Sequence, residues 1–348
     1  HLATEFGRTL RLIEDDGFEI GARVEMLLAA DTPEGISKSI GLGVLGFAQA
    51  YARCRPDILM VLGDRFEMYA AALAALPFKI PIAHVHGGEV TEGAIDDALR
   101  HAMTKLSHLH FTSTPDYARR VRQLGEEAWR VTVTGAPALD NLCSTPLLTR
   151  SQLETQFNLC LSPAPLLVTF HPVTLEYEQT SWQVRELLAA LEAAALPVVF
   201  TLPNADTHSR VILRQIEDYV RQHPTAQCVD TLGTQGYFSM MALAAAMVGN
   251  SSSGIIEAPS FALPVVNIGS RQAGRVRAAN VIDVGYDRAA IVGAIRQAVS
   301  TEFRGSLRNL VNPYGDGGAA ERIVARLTSV ELGDRLIRKV FQDHAICP

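Results

Sequence analysis

Two kinds of segment alternate along most of the chain. Short apolar runs that end in glycine or small polar residues are typical of buried strands, and the segments between them carry apolar residues at helical spacing. This alternation predicts parallel sheets that are covered by helices on both faces. The predicted strands are residues 58–62, 80–85, 109–112, 131–134, 166–170, 198–202, 228–231, 246–249, 265–268 and 281–284.

The alternation is interrupted at residues 144–162, where proline and polar residues surround a short helical patch. We expect two doubly wound α/β domains, because a chain of 348 residues exceeds the size at which a single core stops growing. The expected domains are residues 1–148 and 149–327, and residues 328–348 are expected to form a helical tail. Ligands of such α/β folds bind outside the carboxyl ends of the strands, so we expect the active site in the cleft between the domains.

The charge balance favours a small-molecule ligand. The chain has 37 acidic and 31 basic residues, a formal net charge of −6, and no long run of either sign. A protein that binds nucleic acid or an anionic membrane surface typically carries a basic patch, so we expect neither partner.

Cysteine usage and hydropathy indicate a reducing compartment. The apolar runs are far shorter than the roughly 20 residues of a membrane-spanning helix, and no basic stretch followed by an apolar core marks the N-terminus. The cysteines are odd in number, scattered, and never in a Cys-x-x-Cys pair, which predicts neither a disulfide framework nor a zinc site. We therefore expect a cytoplasmic protein. The cysteines are Cys54, Cys143, Cys160, Cys228 and Cys347.

The first candidate site residue is Asp64, in the sequence Val-Leu-Gly-Asp-Arg-Phe-Glu. A buried strand delivers this carboxylate to the carboxyl edge of the sheet, where a helix begins. An active-site role and a role as the N-cap of that helix are equally open on this pattern.

The richest stretch contains His-Val-His-Gly-Gly-Glu and, shortly after it, Asp-Asp-Ala-Leu-Arg-His. Strand alternation predicts that His84 and His86 face the same side, and the glycine pair permits a tight turn that brings Glu89 to the strand end. Asp96 and Arg100 are four residues apart and share one side of a helix. Such crowding favours general acid and base chemistry. A metal site and a solvated charged face with structural histidines are the alternatives.

Two further motifs follow strands of the second domain. His171 lies directly after a strand in Phe-His-Pro-Val-Thr. In Gly-Asn-Ser-Ser-Ser-Gly, Ser251 and Ser252 begin a helix whose free amides suit a diphosphate, and Glu257 can accept both hydroxyls of a ribose. An ordinary serine-rich N-cap is the alternative. Three arginines that can clamp phosphate oxygens follow the next strand: Arg271, Arg275 and Arg277.

These motifs, in this order and spacing, resemble the bacterial sialic-acid-pathway UDP-N-acetylglucosamine 2-epimerases of the hydrolysing type. The resemblance extends from the first residue to about residue 327. It implies two Rossmann-like domains in the GT-B arrangement, with UDP held mainly by the second domain, and neither a metal nor any cofactor. It also implies that UDP is eliminated across C1 and C2 to give a glycal, to which water adds to release N-acetylmannosamine.

The resemblance implies a role for each candidate residue. Some relatives carry a catalytic glutamate at the position of His86, so that role falls here to either His86 or Glu89. The implied catalytic residues are Asp64, which contacts the sugar, His86, Glu89, Asp96, which is the second carboxylate, and His171, which lies near the phosphates. Arg100 is expected to bind the UDP-sugar substrate. The resemblance further implies that Ser251 and Ser252 bind the diphosphate, Glu257 the ribose and Arg271 the nucleotide.

Relatives begin with a strand, a turn that resembles Thr-Gly-Thr-Arg-Ala, and a helix, none of which the present sequence contains. From this we expect either an incomplete sequence or a damaged fragment, because the first strand of such folds normally lies in the middle of its sheet.

The expected partners are a UDP-sugar and further copies of the chain, as a dimer or a tetramer. Three other functions stay open. The substrate of an epimerase can instead be UDP-2,4-diacetamido-2,4,6-trideoxyglucose, as in the legionaminic-acid branch. The chain can also be a GT-B glycosyltransferase or an inactive protein that binds nucleotide sugars.

Overall fold

The computed structural model describes residues 2, 10–28, 32–92, 94–173, 175–202 and 209–343. Thr174 and Cys347, which the sequence analysis names, lie outside these residues. All ten predicted strands are present. They are β1 (Leu59–Leu62), β2 (Ile82–Val85), β3 (Leu109–Thr112), β4 (Val131–Val133), β5 (Leu166–Thr169), β6 (Val198–Thr201), β7 (Ala226–Val229), β8 (Ala246–Gly249), β9 (Val265–Ile268) and β10 (Val281–Val284).

The strands form two sheets in which every pairing is parallel. The four-stranded sheet has the order β1-β2-β3-β4, and the six-stranded sheet has the order β10-β9-β8-β5-β6-β7. In the second sheet the order reverses at β5 and β8, the pair at which a doubly wound sheet binds its ligand. The two parallel sheets expected from the hydrophobic pattern are thereby confirmed.

The α-helices of the described residues connect and cover the strands. They are α1 (Leu10–Asp15), α2 (Pro33–Cys54), α3 (Phe66–Ala75), α4 (Asp96–Leu106), α5 (Pro115–Gln123), α6 (Asp140–Ser144), α7 (Arg150–Phe157), α8 (Thr180–Ala194), α9 (Ser209–Gln222), α10 (Gly233–Leu243), α11 (Ser253–Ile256), α12 (Arg288–Val299), α13 (Thr301–Ser306), α14 (Ala319–Ser329) and α15 (Asp334–Ile337). Short 3₁₀ turns also occur, among them Ala258–Phe261 directly after α11.

Local hydrogen bonds explain where several helices begin. The Thr32 side chain accepts the Gly35 amide at the start of α2, and Thr114 does the same for Tyr117 at the start of α5. Such a cap satisfies an amide that has no partner inside the helix, and it is worth about 1 kcal/mol.

Contacts divide the chain into two units. Of the described residues, the first unit contains those up to Glu89, those of 96–133 and those from Ile323 to 343, and the second unit contains those of 90–95 and 134–322. The contact-based division between Val133 and Thr134 thus falls earlier than the boundary expected after residue 148. The reason is that α7 and the segment after it pack into the core of the second unit, through Leu153 and Leu161, which are fully buried.

Each unit has apolar cores on the faces of its own sheet. In the second unit, one core lies against α8, α9 and α12 and another against α7 and α10. In the first unit, α2 and α3 pack with β1 and β2, whereas Ile323 and Leu336 pack on side chains of β2 and β3. The C-terminal segment therefore contributes Ile323 and Leu336 to a core of the first unit.

Arg130 joins this C-terminal segment to the first unit. Its buried guanidinium donates to the main-chain carbonyls of Arg335, Leu336 and Arg338. In the part of the chain that the structure describes, no helix combines the length and the apolar character that crossing a membrane requires.

Candidate active site

Asp64 and Arg100 form a buried ion pair at the carboxyl end of β1. Helix α3 begins at Phe66 with Arg65 as its N-cap, and no side chain makes the capping hydrogen bond, so Asp64 is not a capping residue. Instead its carboxylate pairs with the guanidinium of Arg100, which is 2% exposed and comes from α4. The same guanidinium donates to the main-chain carbonyl of His86 at 2.8 Å. Arg100 therefore fixes the carboxylate and the next strand end together.

His86 and Glu89 form a second polar pair at the end of β2. His86 Nδ1 lies 2.6 Å from Glu89 Oε1, and Ser113 Oγ donates to the same oxygen at 2.7 Å. The other carboxylate oxygen lies 3.8 Å from the guanidinium of Arg100. The Glu89 side chain is 1% exposed and that of His86 is 14% exposed, so the imidazole is the outer member of the pair. Since the carboxylate is an acceptor, Nδ1 carries the proton and Nε2 is the site that can accept another.

The turn between His86 and Glu89 requires glycine at position 88. Gly88 has φ +78°, and a Cβ on it would lie 2.5 Å from the Tyr117 carbonyl oxygen. His86 itself has φ +66°, a conformation that non-glycine residues rarely adopt and that concentrates at functional sites. The expected tight turn is present. However, strand β2 ends at Val85, so the alternation that predicted a common face for His84 and His86 does not extend to His86.

His84 is a buried neutral residue of the strand. It is fully buried, its Nε2 donates to the Gly63 carbonyl at 2.7 Å, and burial lowers its pKa to about 3. A histidine held neutral in this way links the ends of β1 and β2 and is a structural member of the site.

Asp96 is the first residue of α4, one turn before Arg100, and it is half-buried. The adjacent Asp97 pairs with His101 at 3.6 Å one turn further along. The pKa of His101 is lowered, chiefly by burial, although Asp97 acts in the opposite direction. The helix thus presents two carboxylates in its first turn, where the positive end of its dipole stabilises negative charge. The described residues contain no cluster of three His, Cys, Asp or Glu side chains arranged to hold a metal ion.

In the second unit, His171 and the serine motif lie side by side because they follow the paired strands β5 and β8. Ser251 is buried and its hydroxyl accepts the Ser253 amide at 3.3 Å. Helix α11 is only four residues long, Ser253–Ile256, and a 3₁₀ turn replaces the longer helix that the pattern predicted. The donors that this segment could offer to an anion are therefore local amides and hydroxyls, because one turn contributes little helix dipole.

Glu257 lies between α11 and the 3₁₀ turn and lines a cavity of about 440 Å³ at the carboxyl ends of β6 and β7. Tyr237 lines the same cavity. Burial raises the pKa of the Tyr237 hydroxyl, and the charge of Glu257 acts in the same direction. Nothing in the sequence pattern indicates Tyr237, or Ser113 in the first unit, because their roles depend on residues far away in the chain.

The three arginines after β9 have different partners. Arg271 donates to the main-chain carbonyl of Asn250 at 3.3 Å and is half-exposed. Arg275 is buried and donates to Val90, whereas Arg277 pairs with Asp283 at 3.0 Å. All three guanidinium groups thus contact protein atoms, and their role as clamps for phosphate oxygens stays a prediction.

Comparison with known proteins identifies the family. A family model described as UDP-N-acetylglucosamine 2-epimerase matches residues 1–328. The chain belongs to this family of 2-epimerases. Its relatives include the GDP/UDP-N,N'-diacetylbacillosamine 2-epimerase (hydrolyzing) of Campylobacter jejuni, which is 40% identical over 81% of this chain and 74% of its own length. The UDP-N,N'-diacetylbacillosamine 2-epimerase (hydrolyzing) of Legionella pneumophila is 36% identical over 97% and 88%. Polysialic acid biosynthesis protein P7 of Escherichia coli is 35% identical over 90% and 80%.

A solved 2-epimerase structure has the same fold. The crystal structure of UDP-GlcNAc 2-epimerase from Neisseria meningitidis bound to UDP-GlcNAc matches with a TM-score of 0.76 and 20% identity, over 87% of this chain and 84% of that chain. The likeness confirms the fold class expected from the sequence, with two Rossmann-like units of the GT-B type.

Proposed function

We propose that this 2-epimerase is a hydrolysing enzyme that converts UDP-N,N'-diacetylbacillosamine to UDP and free 2,4-diacetamido-2,4,6-trideoxymannose. The observation that carries the proposal is the buried polar cluster at the ends of β1 and β2. In this cluster Arg100 contacts Asp64, the carbonyl of His86 and the carboxylate of Glu89. A sheet edge that concentrates two carboxylates and an imidazole is equipped to move protons on a sugar.

The reaction needs two proton transfers at C2 of the sugar. In the first, a base removes the C2 proton, the C1–C2 double bond forms, and the electron pair of the C1–O bond leaves with UDP. In the second, water bonds to C1 of the glycal through its oxygen and gives up one proton to a base. An acid delivers a proton to C2 on the face opposite to the one that lost its proton. The outcome is free sugar with inverted configuration at C2.

His86 is our candidate for one of these transfers, with Glu89 as the group that orients it. Glu89 is almost fully buried and already accepts from His86 Nδ1 and Ser113, so its oxygens have little capacity for substrate. The imidazole lies outside it with Nε2 available. This is the arrangement in which a carboxylate sets the tautomer of a catalytic histidine. Asp96 and Asp64 are the candidates for the other transfer and for contact with the sugar hydroxyls.

The second unit is proposed to hold the nucleotide. The hydroxyls of Ser251 and Ser252 and the guanidinium of Arg271 provide donors for a diphosphate, and His171 follows the neighbouring strand. Glu257 provides a carboxylate for the ribose hydroxyls at the rim of the 440 Å³ cavity.

The names of the relatives support the choice of sugar. The two relatives at 40% and 36% identity carry names that specify diacetylbacillosamine, which is the 2,4-diacetamido-2,4,6-trideoxyglucose of the alternative considered above. UDP-N-acetylglucosamine, which the sequence resemblance favoured, becomes the second candidate. The observation in its favour is the 35% identity to a protein named for polysialic acid biosynthesis.

The test offers both UDP-sugars to the enzyme at equal concentration and follows free UDP and free sugar by proton NMR. We expect UDP release from both and faster consumption of the diacetamido sugar. Faster consumption of UDP-N-acetylglucosamine would transfer the assignment to the second candidate. Binding without UDP release would contradict an epimerase, and release that requires an added acceptor would indicate a glycosyltransferase.

A further inference from the structure

A single buried asparagine connects the groups of the second unit that the proposed function assigns to the nucleotide. Asn250 is fully buried and lies between Gly249, the last residue of β8, and Ser251. It belongs to the motif Gly-Asn-Ser-Ser-Ser-Gly, but the sequence pattern indicates no role for it.

The side chain of Asn250 both accepts from and donates to the backbone of His171. Its Oδ1 accepts the His171 amide at 2.7 Å, and its Nδ2 donates to the His171 carbonyl at 2.8 Å. A carboxamide carries an NH₂ donor group and a carbonyl acceptor in one plane, which a residue's own C=O and N–H can match. Both residues are buried, so these two hydrogen bonds are shielded from water and help to fix the backbone of His171.

The main-chain carbonyl of Asn250 contacts the segment that contains Arg271. Its carbonyl accepts from Arg271 Nη1 at 3.3 Å and from Gln272 Nε2 at 2.8 Å. Gln272 is itself fully buried, so the second of these bonds is shielded from water. Asn250 therefore contacts both the side chain of Arg271 and the backbone of His171.

Glycine at position 249 makes this close approach possible. Gly249 has φ +134°, and a Cβ on it would lie 2.0 Å from the Thr169 carbonyl oxygen. The Asn250 amide donates to that same carbonyl at 3.1 Å. The ends of β5 and β8 are thereby brought together where His171 and Ser251 leave the sheet.

We propose that Asn250 is a positioning residue that fixes His171, the Ser251–Ser252 pair and Arg271 in one arrangement for the departing diphosphate. It touches no reacting atom and acts only through these neighbours. The proposal rests on the proposed function for its effect on turnover, but its effect on UDP binding is independent of catalysis.

The test compares Asn250→Asp with the matched variant Asn280→Asp. Asn280 is also fully buried and also donates its Nδ2 to a main-chain carbonyl, that of Leu263 at 2.8 Å, but it lies at the start of β10, the opposite end of the sheet. Both substitutions keep the size of the side chain and replace the same kind of bond by an oxygen facing an oxygen. They differ in the group that loses its hydrogen bond, which is the His171 carbonyl in Asn250→Asp and the Leu263 carbonyl in Asn280→Asp.

For Asn250→Asp we expect turnover to fall about 100-fold and UDP affinity about tenfold, because a displacement on the order of 1 Å at reacting groups has effects of this size. Asn280→Asp is expected to keep wild-type turnover and UDP affinity below its melting temperature. Equal losses in the two variants would overturn the proposal, because they would reflect only a buried charge.

A second variant keeps the proposal testable if Asn250→Asp does not fold. Gln272→Met removes one donor to the Asn250 carbonyl and leaves the Asn250 side chain untouched. It is expected to weaken UDP, measured by calorimetry, and wild-type affinity would contradict the proposal. If the wild type releases no UDP from either UDP-sugar, the proposed function fails, and the UDP affinities of these variants still decide the role of Asn250.

Discussion

The role of Arg100 can be tested by Arg100→Lys, which keeps the charge and removes the fork of donors. Arg100 donates to Asp64 and to the His86 carbonyl, and it lies 3.8 Å from Glu89. A lysine ammonium is a single point and cannot reach all of these groups at once. At least one charge-assisted bond is lost, at about 1.5–3 kcal/mol, and its acceptor, on Asp64 or His86, is partly shielded from water.

The expected result for Arg100→Lys is a lower melting temperature together with a fall in turnover of about 100-fold, because Asp64 and the His86 backbone are no longer held by one side chain. Thermal unfolding and UDP release are measured on the same preparation. Turnover is assayed well below the melting temperature so that Arg100→Lys and its control variant are both folded.

Arg130→Lys is the matched control. Arg130 is 1% exposed, and its guanidinium bonds to Glu127 and to several carbonyls, including those of His108 and Leu336. We expect it to lose at least as much stability as Arg100→Lys while keeping wild-type turnover. Near wild-type turnover in Arg100→Lys, or an equal loss in both variants, would refute a positioning role for Arg100.

Three further predictions concern single side chains. Asp96→Asn is expected to lower turnover about 100-fold or more with UDP binding unchanged, as for a general acid or base, and a near wild-type rate would leave Asp96 as a helix-face charge. Glu257→Ala is expected to weaken UDP far more than inorganic diphosphate in calorimetry, because diphosphate has no ribose to lose, and equal weakening would contradict ribose contact. Burial acts to raise the pKa of Glu126, but hydrogen bonds from His110 and two lysines lower it to about 2. Its stabilisation is therefore present above about pH 4.5 and is lost as the pH falls towards 2. The difference in melting temperature between wild type and Glu126→Gln should narrow from pH 7 to pH 3, and a constant difference would contradict the ion-pair account.

The sheets were predictable from the sequence because buried parallel strands are continuous apolar runs. The clearest inaccuracy is β7, expected at residues 228–231 and observed at Ala226–Val229. This strand lies at the edge of its sheet, and Ala226 is its only buried residue, which weakens the apolar signal that marks the central strands.

The chemistry at the strand ends was predictable only in part. A strand followed by a glycine turn and acidic residues marks His86 and Glu89 as candidates, because parallel strands place their carboxyl ends at one edge. Which of the two faces outward depends on Ser113, which is 24 residues away from Glu89 and has no local signature. Likewise, the sequence gives three arginines after β9, but only their partners distinguish Arg271 from Arg275.

The most direct test of the account is to run the reaction in deuterium oxide and to analyse the released sugar by NMR. Elimination followed by hydration removes the C2 proton and returns one from solvent. The account therefore predicts stoichiometric UDP and a free sugar of the manno configuration with deuterium at C2. A released sugar that keeps its original proton and configuration at C2 would contradict it, because the enzyme would then be a simple hydrolase of the sugar–phosphate bond.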